Sequence, residues 1–243
     1  MLEGLYAAAS GMEAQQQQFD AISNDLANVD TAGYQSEIVG FHDLLYTTAG
    51  SASGSFAPTG AGADASVIGR SQIQGALNPT GRPLDVAIVG EGYLEVRRAD
   101  GTIGLTRNGA LEVDANGQLT NQQGLLLQPP ITLPRGTNPA SVKIDQQGNV
   151  WSGTQRLGKL QLVAVPNPNG LLPDGDSIFS PTAASGSLRA ATGTIQQGAL
   201  EASNVDLGSA MAEMISAQKN YSLSSQAVQY QDQMLQIANS IKP

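Results

Sequence analysis

The sequence predicts an α+β protein in which a helix at each end of the chain flanks a β-rich centre. Apolar side chains recur every seven residues near the N-terminus and again near the C-terminus, which keeps one narrow face of a helix against a partner helix. Between these segments, short alternating runs separated by Gly-containing turns are typical of antiparallel strands. We therefore predict long N- and C-terminal helices forming a coiled-coil arm, together with a central antiparallel β-domain.

The N-terminal helix is predicted to run from about Leu2 to Asn28. Gly4 and Gly11 each lower its intrinsic stability by about 1 kcal/mol relative to Ala, so the helix should depend on packing against another helix. Its apolar face combines the seven-residue series with a position three residues after one of its members. The residues of this face that we expect in an assembly interface are Leu5, Met12, Phe19, Ile22 and Leu26.

A change of composition separates the N-terminal segment from the centre. Of the 20 residues from Thr47 to Ser66, 18 are Gly, Ala, Ser, Thr or Pro, which predicts a flexible or extended connector. We expect an N-terminal helical arm at 1–46, a flexible linker at 47–69, a β-rich body at 70–198 and a C-terminal helical arm at 199–243.

Turn signals divide the body into short strands. Dipeptides ending in Gly come every seven or eight residues, at Asp100-Gly101, Asn108-Gly109, Asn116-Gly117 and Gln123-Gly124. Such dipeptides between alternating runs are a strong local signal for β-hairpins. Strands are predicted at residues 85–89, 93–96, 110–113, 141–144 and 159–165.

The C-terminal helix is predicted to begin at Ser203 or Asn204, either of which can cap it, and to continue to about Ser240, roughly 50 Å further on. A helix of this length exceeds what a β-domain of this size needs, so we interpret it as an assembly element. The alternative is an amphipathic helix packed on its own domain. The apolar residues that we expect in the interface are Leu207, Met214, Tyr221, Val228 and Leu235.

Charge and composition exclude several classes of partner. The net charge is −9, and residues 1–69 contain eight acidic side chains but no Lys or Arg. Binding to nucleic acid or to an anionic membrane depends on clustered cations, so we expect neither. No stretch is apolar enough for a membrane span, and the first 30 residues lack the basic and apolar regions of a cleaved leader.

Catalytic and ligand-binding patterns are weak throughout the sequence. The single histidine, His42, has no cysteine partner, because the chain contains no cysteine. Gly90-Glu91-Gly92 lacks the third Gly of a dinucleotide loop, and Asp114-Ala115-Asn116-Gly117-Gln118 lacks the remaining ligands of a calcium loop, so both are predicted to be turns. We expect no enzyme activity, no cofactor and no metal.

A self-contained secreted binding or adhesin module is the competing interpretation, with the two helices packed on its own sheet. Such a module would present aromatic side chains together on one exposed surface. The body offers only Tyr93, Trp151 and Phe179, which are scattered along the sequence.

The terminal and central segments together resemble the flagellar rod and hook protein family. The N-terminal signature is Ala27-Asn28-Val29-Asp30-Thr31-Ala32-Gly33-Tyr34, and the C-terminal signature is Leu200-Glu201-Ala202-Ser203-Asn204-Val205-Asp206-Leu207. The body matches through Gly90-Glu91-Gly92-Tyr93 and Thr106-Arg107-Asn108-Gly109. The motif residues that the resemblance singles out are Asn28, Thr31, Gly33, Tyr34, Ser203, Asn204, Val205 and Asp206.

Length and the body motifs most resemble a distal-rod member of this family, while Arg82-Pro83-Leu84-Asp85-Val86 also resembles a proximal-rod relative. The resemblance implies a structural subunit of the bacterial flagellar basal body. It implies export by the flagellar type III apparatus without a cleaved signal peptide, and assembly with itself and with other flagellar rod and hook proteins. The product would be a hollow helical axial tube that transmits torque. We further expect the arms to be largely disordered in the monomer and to fold on assembly.

Overall fold

The computed structural model describes residues 2–44, 47–48, 58–60, 62–134 and 136–240. Two long helices, α1 (Leu2–Ala27) and α2 (Leu207–Ser240), flank a central region of antiparallel strands, which confirms the predicted α+β class. The strands in chain order are β1 (Glu37–Asp43), β2 (Thr47–Thr48), β3 (Pro58–Thr59), β4 (Ala63–Arg70), β5 (Leu77–Pro79), β6 (Val86–Val89), β7 (Tyr93–Arg97), β8 (Ile103–Thr106), β9 (Leu111–Val113), β10 (Leu119–Asn121), β11 (Leu126–Gln128), β12 (Val142–Ile144), β13 (Asn149–Ser152), β14 (Gln155–Lys159), β15 (Leu162–Ala164), β16 (Leu172–Pro173), β17 (Ile178–Ser180), β18 (Arg189–Ala190), β19 (Thr194–Gln197) and β20 (Ala199–Glu201). Short 3₁₀ helices cover Pro139–Ser141 and Pro168–Gly170.

The chain forms two compact units. The helical unit comprises the described residues of segments 1–27, 37–68 and 206–243, and the β unit comprises those of segments 28–36 and 69–205. Both units are therefore assembled from segments that lie far apart in sequence. Neither α1 nor α2, over its described length, is apolar enough to cross a membrane.

Within the helical unit, α1 and α2 pack as an antiparallel pair. A Cβ atom added at Gly4 would meet the Gln231 side chain, and one added at Gly11 would lie 3.9 Å from the Ser224 hydroxyl. As residue numbers increase along α1, the residue numbers of the facing positions on α2 decrease, so the two helices are antiparallel. The buried apolar residues of the two helices are four alanines and one larger residue: Ala14, Ala21, Ala210, Ala217 and Ile22. The small alanine side chains allow the two helix axes to approach closely.

Two strand pairs, β1–β4 and β2–β3, complete the described part of the helical unit, and we call the β1–β4 pair the ribbon. The ribbon departs from the prediction, which placed β1 in a helical arm and most of β4 in a flexible linker. The β-branched pairs Ile38-Val39 and Val67-Ile68 favour strands, and the small residues around them obscured that preference. Residues 49–57 and 61 of the predicted linker lie outside the described residues.

The β unit is built from antiparallel sheets. The main sheet follows the order β16-β17-β8-β7-β11-β10-β9, with β15 paired to β7 and β18 paired to β15. A three-stranded sheet has the order β12-β13-β14, and two further pairs are β19-β6 and β20-β5. Inward-facing side chains such as Val96, Leu105, Leu119 and Val150 are fully buried between these sheets.

Three of the four predicted Gly turns connect neighbouring strands. Gly101, Gly117 and Gly124 have φ values of 84°, 84° and 78°, which glycine adopts without steric cost. The hairpin predicted at Asn108-Gly109 was wrong, because this dipeptide joins β8 and β9, which do not pair with each other. Instead, the Gly109 carbonyl accepts a 2.9 Å hydrogen bond from the Val86 N–H, and a Cβ at Gly109 would collide with the Val86 carbonyl.

Candidate assembly surface and signature junction

The predicted interface residues of α1 flank its contact with α2. Ala14 and Ala21 are buried, while the predicted residues occupy neighbouring positions along the helix. Ile22 is buried, and the other four are partly buried: Leu5, Met12, Phe19 and Leu26. The larger side chains thus retain accessible apolar surface.

The predicted residues of α2 are more open to solvent. Leu207 and Tyr221 are exposed, and Met214 and Val228 are partly buried. The side chain of Leu235 lies outside the described residues. Between Phe19 and Tyr221 lies an open hollow of about 150 Å³, lined also by Gln15, Gln16, Ala217 and Gln218.

A second apolar stripe on α2 was not predicted. Leu223, Tyr230 and Ile237 recur every seven residues and are 62%, 62% and 60% exposed. At 100° per residue they lie about 120° or more around the helix from Ala217, which faces α1. A helix that is apolar on several faces normally packs against several partners. The stripe belongs to a different seven-residue series from the one that contains Leu207, Met214 and Tyr221, on which the predicted interface was based.

The two family signatures meet inside the β unit. Gly33 donates its backbone N–H to the Glu201 carbonyl at 2.8 Å. Its φ is +69°, and a Cβ there would lie 2.6 Å from the Arg107 carbonyl carbon and the Asn108 nitrogen, so the position requires glycine. Asn28 and Thr31 form the preceding turn, in which the Thr31 hydroxyl donates to the Asn28 side-chain oxygen at 3.1 Å.

Asn204 connects three backbone segments of the β unit. Its side-chain oxygen accepts a 2.7 Å hydrogen bond from the Ser36 N–H, and its side-chain nitrogen donates to the carbonyls of Ser71 and Ile73 at 3.1 and 2.9 Å. Its backbone N–H donates to the Tyr34 carbonyl at 3.3 Å. Asn204 therefore joins the two signatures and does not cap α2.

The N-cap of α2 is Asp206, the residue that immediately precedes Leu207. Its carboxylate accepts the Ser209 N–H at 2.7 Å, and its carbonyl accepts the Ala210 N–H at 2.9 Å. The prediction of a cap at Ser203 or Asn204 was wrong because Asn204 is engaged elsewhere, and the Ser203 hydroxyl accepts only the Val205 N–H, at 3.3 Å.

A buried ion pair lies beneath the signatures. The Arg107 guanidinium donates to the Glu201 carboxylate through Nε at 2.9 Å and Nη2 at 2.8 Å, and both side chains are 4% exposed. The remaining Arg107 donors reach the carbonyls of Gly90 and Gly92 at 3.2 Å. The Gly90-Glu91-Gly92 turn, predicted as a turn, thus presents two acceptors to Arg107. Arg107 and Glu201 both lie in the family motifs, but nothing in the sequence indicates that they pair.

Aromatic side chains surround this junction. The Arg70 guanidinium lies over the Tyr34 ring at 5.7 Å and the Phe179 ring at 5.4 Å. Tyr93 packs edge-on against Phe179, and burial raises the pKa of its hydroxyl. Tyr93 and Phe179 are thus core residues, so they supply no exposed aromatic platform.

Acidic residues that could be mistaken for ligands are engaged in turns. The Asp114 carboxylate accepts the N–H groups of Asn116 and Gln118 at 2.9 and 2.7 Å. In the described part of the chain, no cluster of three or more His, Cys, Asp or Glu side chains could hold a metal ion. His42 is exposed on β1.

Three family models match the chain in order. Residues 5–35 match the model described as flagella basal body rod protein. Residues 87–152 match the flagellar hook protein FlgE/F/G D1 domain, and residues 196–241 match the flagellar basal body rod FlgEFG protein C-terminal model. The matched segments include α1 with the N-terminal signature, much of the β unit, and α2.

Full-length relatives give the same result. The flagellar basal-body rod protein FlgG of Borreliella burgdorferi is 35% identical over 263 aligned residues, covering 100% of this chain and 99% of that protein. The FlgG protein of Caulobacter vibrioides is 36% identical, covering 99% and 100%, and that of Bacillus subtilis is 33% identical, covering 100% of both. The chain therefore belongs to the flagellar basal-body rod protein family, as a member of the distal-rod type.

Proposed function

We propose that this chain is a structural subunit of the flagellar rod that polymerises with itself through α1 and α2 into a hollow helical tube able to transmit torque. The observation that carries this proposal is the large apolar surface left exposed on the helix pair. The intramolecular contact uses alanines, whereas Leu223, Tyr230 and Ile237 remain open on α2. Exposed apolar surface of this extent is typical of a protein–protein interface.

In the polymer, the helix pair would become part of a coiled coil shared between copies. Each large apolar side chain fully buried there would contribute about 1.5–3 kcal/mol. The interface would contain the residues selected by the heptad pattern other than Ile22, which is already buried within the helical unit: Leu5, Met12, Phe19, Leu26, Leu207, Met214, Tyr221, Val228 and Leu235. A heterologous contact that does not close produces a helical filament instead of a ring.

Other flagellar rod and hook proteins would continue the tube above and below this subunit. We propose that the chain reaches its position through the flagellar export apparatus and crosses the inner membrane without a cleaved signal peptide. A structural role of this kind requires no catalytic group, cofactor or membrane insertion.

Sedimentation of purified chain tests self-assembly and the role of the helix pair. Phe19→Ser together with Tyr221→Ser is expected to raise the concentration needed for polymer at least tenfold, because both residues line the apolar hollow. Ile103→Ser is the matched control, since Ile103 is an exposed apolar residue of the β unit. Unchanged sedimentation of the double variant would contradict the assignment of the interface, and a wild-type chain that never sediments would contradict self-assembly.

A further inference from the structure

The outer face of the β12-β13-β14 sheet gathers cations around the only tryptophan of the chain. Lys143 on β12 and Arg156 on β14 are the cross-strand partners of Trp151 on β13, one from each side, although the register between β13 and β14 shifts between Val150 and Trp151. Lys159 pairs with Asn149, two residues from Trp151 on the same face of β13. Directly opposed residues have Cβ atoms about 4.5–5.5 Å apart, so these side chains are neighbours. We call Lys143, Trp151, Arg156 and Lys159 the cationic face.

The strands of the cationic face are fixed by buried side chains on the opposite face of the sheet, whereas its cations are exposed to solvent. Val142, Ile144 and Val150, on the other side of the same strands, are buried in the core. Lys143, Arg156 and Lys159 are exposed and form no ion pair within the described part of the chain. Trp151 is partly exposed, and its indole N–H donates to the Asp145 carboxylate.

The two units of the chain have very different charges. The segments of the helical unit contain ten acidic and two basic side chains, whereas those of the β unit contain eleven and ten. Most of the net charge of −9 therefore resides in the helical unit. A polymer of this chain would bring together strongly acidic units, whose mutual repulsion opposes assembly unless cations lie between them.

The ribbon offers surface that complements the cationic face. Asp43 and Asp64 are exposed carboxylates, and Ile38, Phe41 and Ile68 are exposed apolar side chains of the same strand pair. The ribbon can therefore supply acceptors for the lysines and arginine together with an apolar contact for the indole ring. On α2 and at its cap, by comparison, the carboxylates of the described residues are spread over more than 20 positions, at Asp206, Glu213 and Asp232.

We propose that the cationic face of one copy binds the ribbon of a second copy and thereby links neighbouring subunits of the polymer. This inference rests on the proposed self-assembly and adds a specific electrostatic contact to it. Exposed charge pairs are screened by salt, because the Debye length falls from about 10 Å at 0.1 M to about 3 Å at 1 M. The contact itself should therefore weaken as salt rises, so its contribution to assembly is measured in low salt.

Charge reversal on the full chain tests the contact. Lys143→Glu with Arg156→Glu is expected to raise the concentration needed for sedimentable polymer at least tenfold in low salt. Arg97→Glu with Arg189→Glu changes the net charge equally at exposed sites elsewhere in the β unit and should have less than a twofold effect. Adding Asp43→Lys and Asp64→Lys to the first variant should restore assembly to within about threefold of wild type. Circular dichroism of each variant checks that the β unit remains folded.

Each outcome decides between distinct explanations. Normal assembly of the Lys143→Glu, Arg156→Glu variant would overturn the contact, and so would equal defects in the test and control pairs or a lack of rescue. A wild-type chain that fails to polymerise would instead remove the proposed function on which the contact depends. An anionic polysaccharide such as heparin is the alternative occupant. Retention of wild type but not of the variant on immobilised heparin, with assembly unaffected, would replace the second copy by a polysaccharide.

Discussion

Among individual residues, Glu201 and Asn204 of the family signature form several hydrogen bonds within the β unit that the sequence alone does not reveal. Glu201 uses its carbonyl for Gly33, one carboxylate oxygen for the Gly75 N–H and the other for Arg107. Asn204 uses all its side-chain hydrogen-bonding groups on backbone atoms. Buried polar groups of this kind must be paired, because an unpaired one costs about 1–3 kcal/mol and a charged one more. These residues therefore fix one arrangement of the β unit.

Glu201→Ala is predicted to destabilise the β unit by about 3–5 kcal/mol, because it leaves the buried Arg107 guanidinium without its counter-charge. Denaturant unfolding followed by Trp151 fluorescence measures this change. The matched control is Asp174→Ala, which removes a partly exposed partner of Arg98 at 2.6 Å and should cost less than about 1 kcal/mol. Equal effects of the two substitutions would show that the buried pair carries no special weight.

At the level of elements, the sequence predicted the hairpin turns whose conformation is set by adjacent residues, but not the contacts set by distant ones. The Gly residues at 101, 117 and 124 identified hairpin turns because positive φ is a local requirement. Asn108-Gly109 has the same composition, but its conformation is set by Val86, more than twenty residues away. The ribbon was missed for a similar reason, since β1 pairs with β4, a strand that begins about twenty residues further along the chain.

The hairpin of β9 and β10 should lose stability in acid. Hydrogen bonds hold the pKa of Asp114 below its ordinary value, the largest cause being the Gln118 N–H. A carboxyl with a depressed folded-state pKa contributes stability that is present above its unfolded pKa and is lost as pH falls through the folded value. The loss should therefore begin below about pH 4. A carbon-detected NMR titration of the Asp114 carboxyl checks the pKa, and Asp114→Asn should make the hairpin's stability less dependent on pH over this range.

The helix pair depends on small residues at its contact. Ala217 is 1% exposed, so Ala217→Leu inserts a large side chain where the helices approach closely. Overpacking of this kind costs about 1–3 kcal/mol, which corresponds to a roughly 5- to 150-fold increase in the concentration needed for polymer. Ala217→Ser, which keeps the side chain small, is the matched control. A leucine variant that polymerises at the wild-type concentration would show that the antiparallel pair is not retained in the polymer.

For the whole molecule, the two units differ in how much apolar surface they bury by themselves. The β unit buries a cluster of large apolar side chains, which includes Ile88, Leu94, Leu111 and Leu127. In the helical unit, Ile22 is the only large apolar side chain that is buried among the described residues; the other buried apolar residues are alanines. The sequence could predict both helices from their periodicity, but not this difference, which depends on how they pack.

This difference predicts that the monomer is only partly folded. A helix pair that buries so few large side chains gains too little from packing to offset the entropy of ordering its chain. Limited proteolysis of dilute monomer, read by mass spectrometry, should therefore remove the segments of α1 and α2 while leaving residues 69–205 intact. The same sites should resist cleavage in sedimented polymer, because contacts between copies then cover Leu223, Tyr230 and Ile237. Resistance of both helices in the monomer would mean that the pair is a finished domain, and the exposed stripe on α2 would then require a partner other than a second copy.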